Sequence, residues 1–128
     1  MVQKITKGIK IAVKTTYDGT VYRNNALHHA FSYYISIENT TKETVQLLDR
    51  FWEISDALNT TEYVEGEGVV GQKPTLKPDE VYTYRSHCLL IGSTGAMKGS
   101  FTMLQLNTSQ KFKVSIPSFQ LTAAPVLN

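Results

Sequence analysis

The chain has 128 residues and a formal net charge of +2, the length of one domain with room for a well-filled core. Its 41% hydrophobic content is that of an ordinary globular protein, and no segment reaches the apolar length that a membrane-spanning helix needs. The charge is too mild to imply a nucleic-acid partner.

A single cysteine, Cys88, has no second Cys for a disulfide, a redox pair or a Cys-rich zinc site. The start, MVQKITKGIK, carries no apolar run and no cleavage site of a secretory signal. The expectation is one domain spanning residues 1–128, cytoplasmic and held together by packing. The sequons at Asn39, Asn59 and Asn107 then read as turns rather than glycan sites.

In chain order the dominant pattern has period two, which sends alternate side chains to opposite faces of a strand. IKIAVKTTY places Ile9, Ile11, Val13 and Tyr17 on one face, with Lys10 and Lys14 on the other. FSYYISIEN sets Phe31, Tyr33, Ile35 and Ile37 against Ser32, Tyr34, Ser36 and Glu38. VQLLDRFWEISD is apolar on both sides, Val45, Leu47 and Phe51 opposing Leu48, Trp52 and Ile54, and reads as a central strand covered on each face. VYTYRSHCLL puts Tyr82, Tyr84, Cys88 and Leu90 together. SFTMLQL is a further strand, and KFKVSIP turns Phe112, Val114 and Ile116 to one side.

Turn material separates these runs at TYDGT, ENTTKE, SDALNTT, QKPTLKPDE, GSTGAMKG and NTSQK. About seven strands with no helical period predict an all-β fold, an immunoglobulin-like or fibronectin type III-like β-sandwich rather than a barrel. Lys4, Lys7, Lys10 and Lys14 read as protection of a terminal strand against edge-to-edge pairing.

The stretch EGEGVVGQ places Gly66, Gly68 and Gly71 at the spacing G-x-G-x-x-G. A dinucleotide loop requires a helix whose free N–H groups meet the pyrophosphate. QKPTLKP follows instead, and Pro74 and Pro78 disfavour a helix there. An anion nest of backbone N–H groups needs no helix, and Lys73 or Lys77 would have to offset Glu62, Glu65 and Glu67. The simpler expectation is a bulge or a close strand approach.

His28 with His29, and His87 with Cys88, are strand neighbours that point to opposite faces, so neither pair shares a metal or a reaction centre. The expectation is an exposed His87 and a packed Cys88. Asp49, Glu53 and Asp56 read as a solvated strand face rather than metal ligands. No nucleophile elbow, P-loop or zinc-protease motif occurs, so no catalytic residue, metal or cofactor is assigned. Seven Tyr, five Phe and one Trp exceed what a narrow core requires. Trp52 belongs in that core, and Tyr22, Tyr34 and Tyr63 are the candidates for a binding surface.

Taken together, ITKGIKIAV, FSYYISIEN, VQLLDRFWEISDA, VEGEGVVGQKPTLKPDEVYTY, GAMKGSFTM and FKVSIPSFQL resemble the bacterial ApaG proteins from about Ile5 to Leu121. The resemblance implies a fibronectin type III-like sandwich. It also implies a link to cobalt tolerance and magnesium efflux, and a gene often placed beside one for diadenosine tetraphosphate hydrolysis, with no agreed biochemical activity. Related domains in an F-box protein and in a polymerase-delta-interacting protein are taken to serve protein interaction. The family's glycine motif, matched by Gly66, Gly68 and Gly71, has prompted proposals of nucleotide or pyrophosphate binding. The chain departs from the usual pattern at Phe51, where His is common, at Pro78-Asp79 in place of Pro-Gly, and at Arg85-Ser86-His87 in place of Thr-Ser-Gly. Those departures bear on any site built around that His or that glycine, and leave the fold unaffected.

The expected function is therefore a non-enzymatic binding module for a protein partner, with neither nucleic acid nor membrane as its target. A sheet edge offers a route to a homodimer. The alternative is a small-anion or nucleotide binder using Gly66, Gly68, Gly71 and Lys73.

Overall fold

Strands answer the period-two pattern throughout the computed structural model, which describes residues 1–123. They are β1 (Val2–Thr6), β2 (Ile9–Arg23), β3 (Ala26–Asn39), β4 (Val45–Asp56), β5 (Glu62–Glu67), β6 (Thr75–Leu76), β7 (Val81–Leu90), β8 (Thr94–Gln105) and β9 (Gln110–Thr122). Seven strands of six residues or more carry the expected sandwich, and β1 and β6 are short additions to it. One sheet has the order β1-β2-β3-β7; the other runs β5-β4-β8-β9, with β6 also pairing β4. All the pairings are antiparallel.

Two of the hairpins turn on two residues each, Lys7-Gly8 and Asn24-Asn25, and all four have positive φ, at 50°, 79°, 54° and 62°. Paired positive φ values match the right-handed twist of the flanking strands, and Gly and Asn reach them at least cost. The first and last strands meet at a seam between the sheets, where the Ser115 N–H donates to Thr6 Oγ1 at 3.3 Å.

Between the sheets lie the inward residues of the alternation. Ile9, Ile11, Phe31, Ile35 and Ile37 from one sheet face Leu47, Trp52, Met97, Phe101, Met103, Val114 and Leu121 from the other, all essentially buried. Trp52 meets Tyr33 and Phe119 at ring-centroid distances of 5.4 and 5.9 Å, both edge-on. Its truncation to Ala removes an anchor shared by both sheets, at a cost of about 3–5 kcal/mol.

The structure corrects four expectations. TYDGT is not a turn: β2 runs on through it with a bulge at Asp18, and the reversal waits for Asn24-Asn25, whose side chains tolerate left-handed backbone. GAMKG lies within β8, because Gly95 and Gly99 let the backbones of Ser55 and Phe51 approach where a Cβ would collide. β4 is not covered on both faces. A bulge between Leu47 and Asp49 shifts its phase, so Val45 and Leu47 point inward before it and Trp52 after it, and Leu48 and Phe51 stay half-buried. Lys10 stands on β2 between β1 and β3, so it guards no edge, whereas Lys14 lies just past the β1 pairing, which ends at Val13.

Asn39 closes β3 as a fully buried polar hub. Its Nδ2 donates to the carbonyls of Glu43 and Leu76 at 2.7 and 3.0 Å, and its Oδ1 accepts from Thr41. Buried amides persist in cores when satisfied in this way.

Candidate functional site

The glycine loop interrupts the edge of a sheet, since β5 and β6 both pair the same strand, β4. Gly66 pairs with Arg50, and a Cβ at Gly66 would stand 2.9 Å from the Arg50 guanidinium. That guanidinium donates to the carbonyls of Glu67 at 2.9 Å and Gly68 at 3.1 Å. Gly68, at φ 64°, is pressed against the Gln72 carbonyl, and its N–H donates to Leu48 at 2.7 Å. Val69 and Gln72 exchange N–H···O bonds at 2.8 and 3.0 Å. Three N–H groups of the loop are thus spent on the fold. Gly71, at φ 76°, has open space around it, and Lys73 pairs with Glu67 at 3.4 Å.

The three tyrosines do not converge. Tyr22 lies near the tip of the β2–β3 hairpin, 72% exposed. Tyr63 on β5 stacks on Phe51 at 6.1 Å on the outer face of β5-β4-β8-β9. Tyr34 stands on the outer face of the other sheet, 40% exposed, where the register sets Lys14, Tyr34 and Arg85 side by side across β2, β3 and β7. The Arg85 guanidinium lies 5.5 Å from the Tyr34 ring centre, a cation–π contact. Its Nη2 donates to Ser32 Oγ at 3.0 Å. Ser32, wholly buried, donates in turn to Asp18, with His87 Nδ1 at 3.4 Å. Arg85 is therefore held in place on an otherwise open face.

Nothing local in the sequence joins Lys14, Arg85, Asp18 and Ser32. The bulge at Asp18 and the strand register brought them together, and neither is visible in period-two alternation.

Elsewhere titratable groups serve the fold. Burial pushes the Asp56 carboxyl up, but N–H donors from Leu58, Ile91 and Gly92 together outweigh it and hold the pKa below the ordinary 3.8. Burial, then the charges of Glu62 and Asp56, push the Cys88 thiol up to about 12, which suppresses its thiolate and its reactivity. Burial likewise raises Tyr84 above its usual range, and its hydroxyl has no hydrogen-bond partner among the described residues. His87 is exposed and Cys88 buried. Among the described residues no cluster of three His, Cys, Asp or Glu side chains is placed to hold a metal, and no helix is long and apolar enough to cross a membrane.

Two antiparallel sheets of this order define an immunoglobulin-like sandwich domain. The PapD-like domain 7 of human CEP192 shares the fold alone, with TM-score 0.56 and 11% identity over 99% of this chain and 95% of that one. The chain belongs to the ApaG family: residues 20–105 match the ApaG domain. Protein ApaG of Brucella anthropi is 39% identical over 94% of this chain and 92% of its own length. A crystal structure solved by the Northeast Structural Genomics Consortium as target SoR45 superposes with TM-score 0.86 at 33% identity, covering 94% of this chain and 90% of that one.

Proposed function

We propose that this chain is a non-enzymatic binding module that takes a protein partner on the outer face of its β1-β2-β3-β7 sheet. The observation that carries the reading is the row Lys14, Tyr34, Arg85: an exposed aromatic side chain between two cations, one of them fixed by Ser32 and by the ring itself. Pre-positioned Tyr and Arg are the side chains that dominate binding energy at protein interfaces, because little entropy is lost when they engage. Next to this row lies a hollow of about 410 Å³.

What counts against the small-anion alternative at Gly66, Gly68, Gly71 and Lys73 is the use of three loop N–H groups within the fold and the pairing of Lys73 with Glu67. A phosphate there would have to displace Glu67 from Lys73 while approaching two other carboxylates.

A photo-crosslinking amino acid introduced at Tyr34, with Tyr63 as the control position, tests the reading in cells. The expected result is a discrete protein adduct from position 34 and none from position 63. Equal labelling at both positions, or no adduct at 34, would remove this face from consideration. Calorimetric titration of ATP, diadenosine tetraphosphate and pyrophosphate, with and without magnesium, into wild type and Lys73→Ala then decides the alternative. Heat that the variant loses would establish the loop as the site.

A further inference from the structure

We infer that the outer face of β1-β2-β3-β7 carries a transverse groove that binds an extended acidic peptide segment running across the strands. The inference rests on the protein-binding reading above and gives that site its ligand chemistry. The register builds the groove. Ala12, Ser36 and Thr83 are paired neighbours on β2, β3 and β7, and their small side chains form a low floor. One wall is the Lys14–Tyr34–Arg85 row, two residues along each strand. On the other side of the floor the next row is Lys10, Glu38 and Val81. The hollow over this floor has a volume of about 410 Å³.

Its dimensions suit a peptide. Rows two residues apart on one face lie about 7 Å from each other, so dropping the middle row to small side chains opens a slot as wide as a backbone with its side chains. Three strands at about 4.8 Å spacing make the slot about 10 Å long, the span of roughly three extended residues.

Charge selects among peptides. The two salt bridges among the described residues, Lys73–Glu67 and Lys98–Glu53, both join residues of the opposite sheet and its glycine loop. Lys14 and Arg85 have no carboxylate of this chain in ion-pair contact among those residues, and flank the same ring. Of the five N–H donors of a guanidinium, Ser32 engages Arg85 through Nη2 alone, so a planar carboxylate can still be met by charge-assisted bonds. Tyr34 supplies an apolar surface between the two cations. Glu38 beyond the floor and Asp18 beside Ser32 work against a continuous phosphate chain, which would have to pass them. That favours a peptide with separated carboxylates over a nucleic acid.

The test is selection of a random peptide library displayed on phage against the full chain. Binding is then compared in wild type, a Lys14→Ala/Arg85→Ala double variant, Tyr34→Ala and Ser36→Trp. All these positions lie on the outer face, and a thermal melt confirms that each variant folds. Selected peptides should be rich in Asp and Glu. Affinity should fall at least about tenfold in the double variant, equivalent to about 1.4 kcal/mol, and Ser36→Trp should block binding by filling the floor with the charges intact. Rising salt should weaken binding, and amide shifts on titration should map to β2, β3 and β7. Enrichment of peptides without acidic residues, or affinity unchanged in the double variant, would overturn this inference and leave the protein-binding reading standing. Displacement of the peptides by a deoxythymidine oligomer or by ATP would reassign the groove to a nucleotide ligand. Failure to select any peptide, joined to absence of an adduct at position 34, would remove both readings.

Discussion

The two outer faces of the sandwich use the same alternation and arrive at opposite electrostatics. On β5-β4-β8-β9 the outward rows hold Asp49, Glu53, Glu65 and Glu67 around the stacked Phe51 and Tyr63, and lysines answer them, Lys98 on Glu53 at 3.2 Å and Lys73 on Glu67 at 3.4 Å. The hollow there, about 530 Å³, is larger than the groove but mixes Arg50 and Lys113 with Asp49, Glu65 and Glu67. On β1-β2-β3-β7 the cations lack such answers among the described residues, and a buried serine fixes one of them. Volume alone would choose the wrong face. A charge already paired within the fold offers a partner little, whereas an unpaired and immobilised one loses least on binding.

The glycine loop, at the rim of the acidic face, is where a small substitution costs most. Gly68→Ala places a Cβ against the Gln72 carbonyl and asks an L residue to hold φ 64°. The left-handed backbone alone costs about 1–2 kcal/mol, and with the collision the total should reach about 3 kcal/mol. Gly71→Ala, at φ 76° but in open space, should cost only the backbone term, about 1 kcal/mol. Urea denaturation of the pair checks this. Equal losses would mean that close approach is not why glycine stands at position 68. In both variants the amide signals of Lys14, Tyr34 and Arg85 should stay in place, since the loop belongs to the other sheet.

A second perturbation acts where the sheets are joined. Asp56 ends β4 and accepts N–H bonds from Ile91 and Gly92 at 2.7 and 2.9 Å, just beyond β7. Its pKa is lowered in the folded protein, so the folded state binds this proton less readily than the unfolded chain. The carboxylate therefore stabilises the fold above its unfolded value near 3.8, and that contribution disappears as pH falls through the folded pKa. Asp56→Asn should lower stability by about 1–2 kcal/mol at neutral pH and flatten the acid limb of the melting profile. If wild type and variant lose stability in parallel between neutral pH and pH values below the carboxylate range, Asp56 is not the group responsible.

How much of this could be read beforehand depends on the kind of interaction. The inward faces of β2, β3, β7 and β9 were legible, because burial of Ile11, Phe31, Cys88 and Val114 imprints a strict period on the chain. The bulges at Asp18 and Leu48 were not, since one extra residue resets the phase without changing composition. Pairing between distant strands left no local mark either, so Lys14, Tyr34 and Arg85 could not be placed in one row. The glycines illustrate the middle ground. The absence of a helix after Gly71 was visible in the prolines, but the guanidinium beside Gly66 belongs to a strand sixteen residues earlier.

Beneath the groove, Tyr84 offers a smaller test. Its ring packs against the core while its hydroxyl stays buried without a partner among the described residues, a group whose desolvation is uncompensated. Tyr84→Phe keeps the ring and removes that oxygen, so stability should be unchanged or rise by up to about 1 kcal/mol. Peptide affinity should not move, because the deleted atom is buried, away from the outer face. A clear loss of stability would show that the hydroxyl is bonded in solution.

The smallest effect separates two of the exposed tyrosines, Tyr63 and Tyr34. Tyr63 stacks on Phe51, so a double-mutant cycle of Tyr63→Ala and Phe51→Ala should give a stability coupling of about 0.5 kcal/mol, the low end for an exposed aromatic pair. The corresponding cycle of Tyr34→Ala and Arg85→Ala should give a comparable coupling in stability, since an exposed cation–π contact is worth about 0.5–1 kcal/mol. The difference should emerge in binding. The Tyr34 and Arg85 substitutions should weaken selected peptides together, and the Tyr63 and Phe51 substitutions should leave them untouched. A Tyr63 variant that loses peptide while keeping its fold would move the contact to the acidic face and reverse the roles of the two sheets.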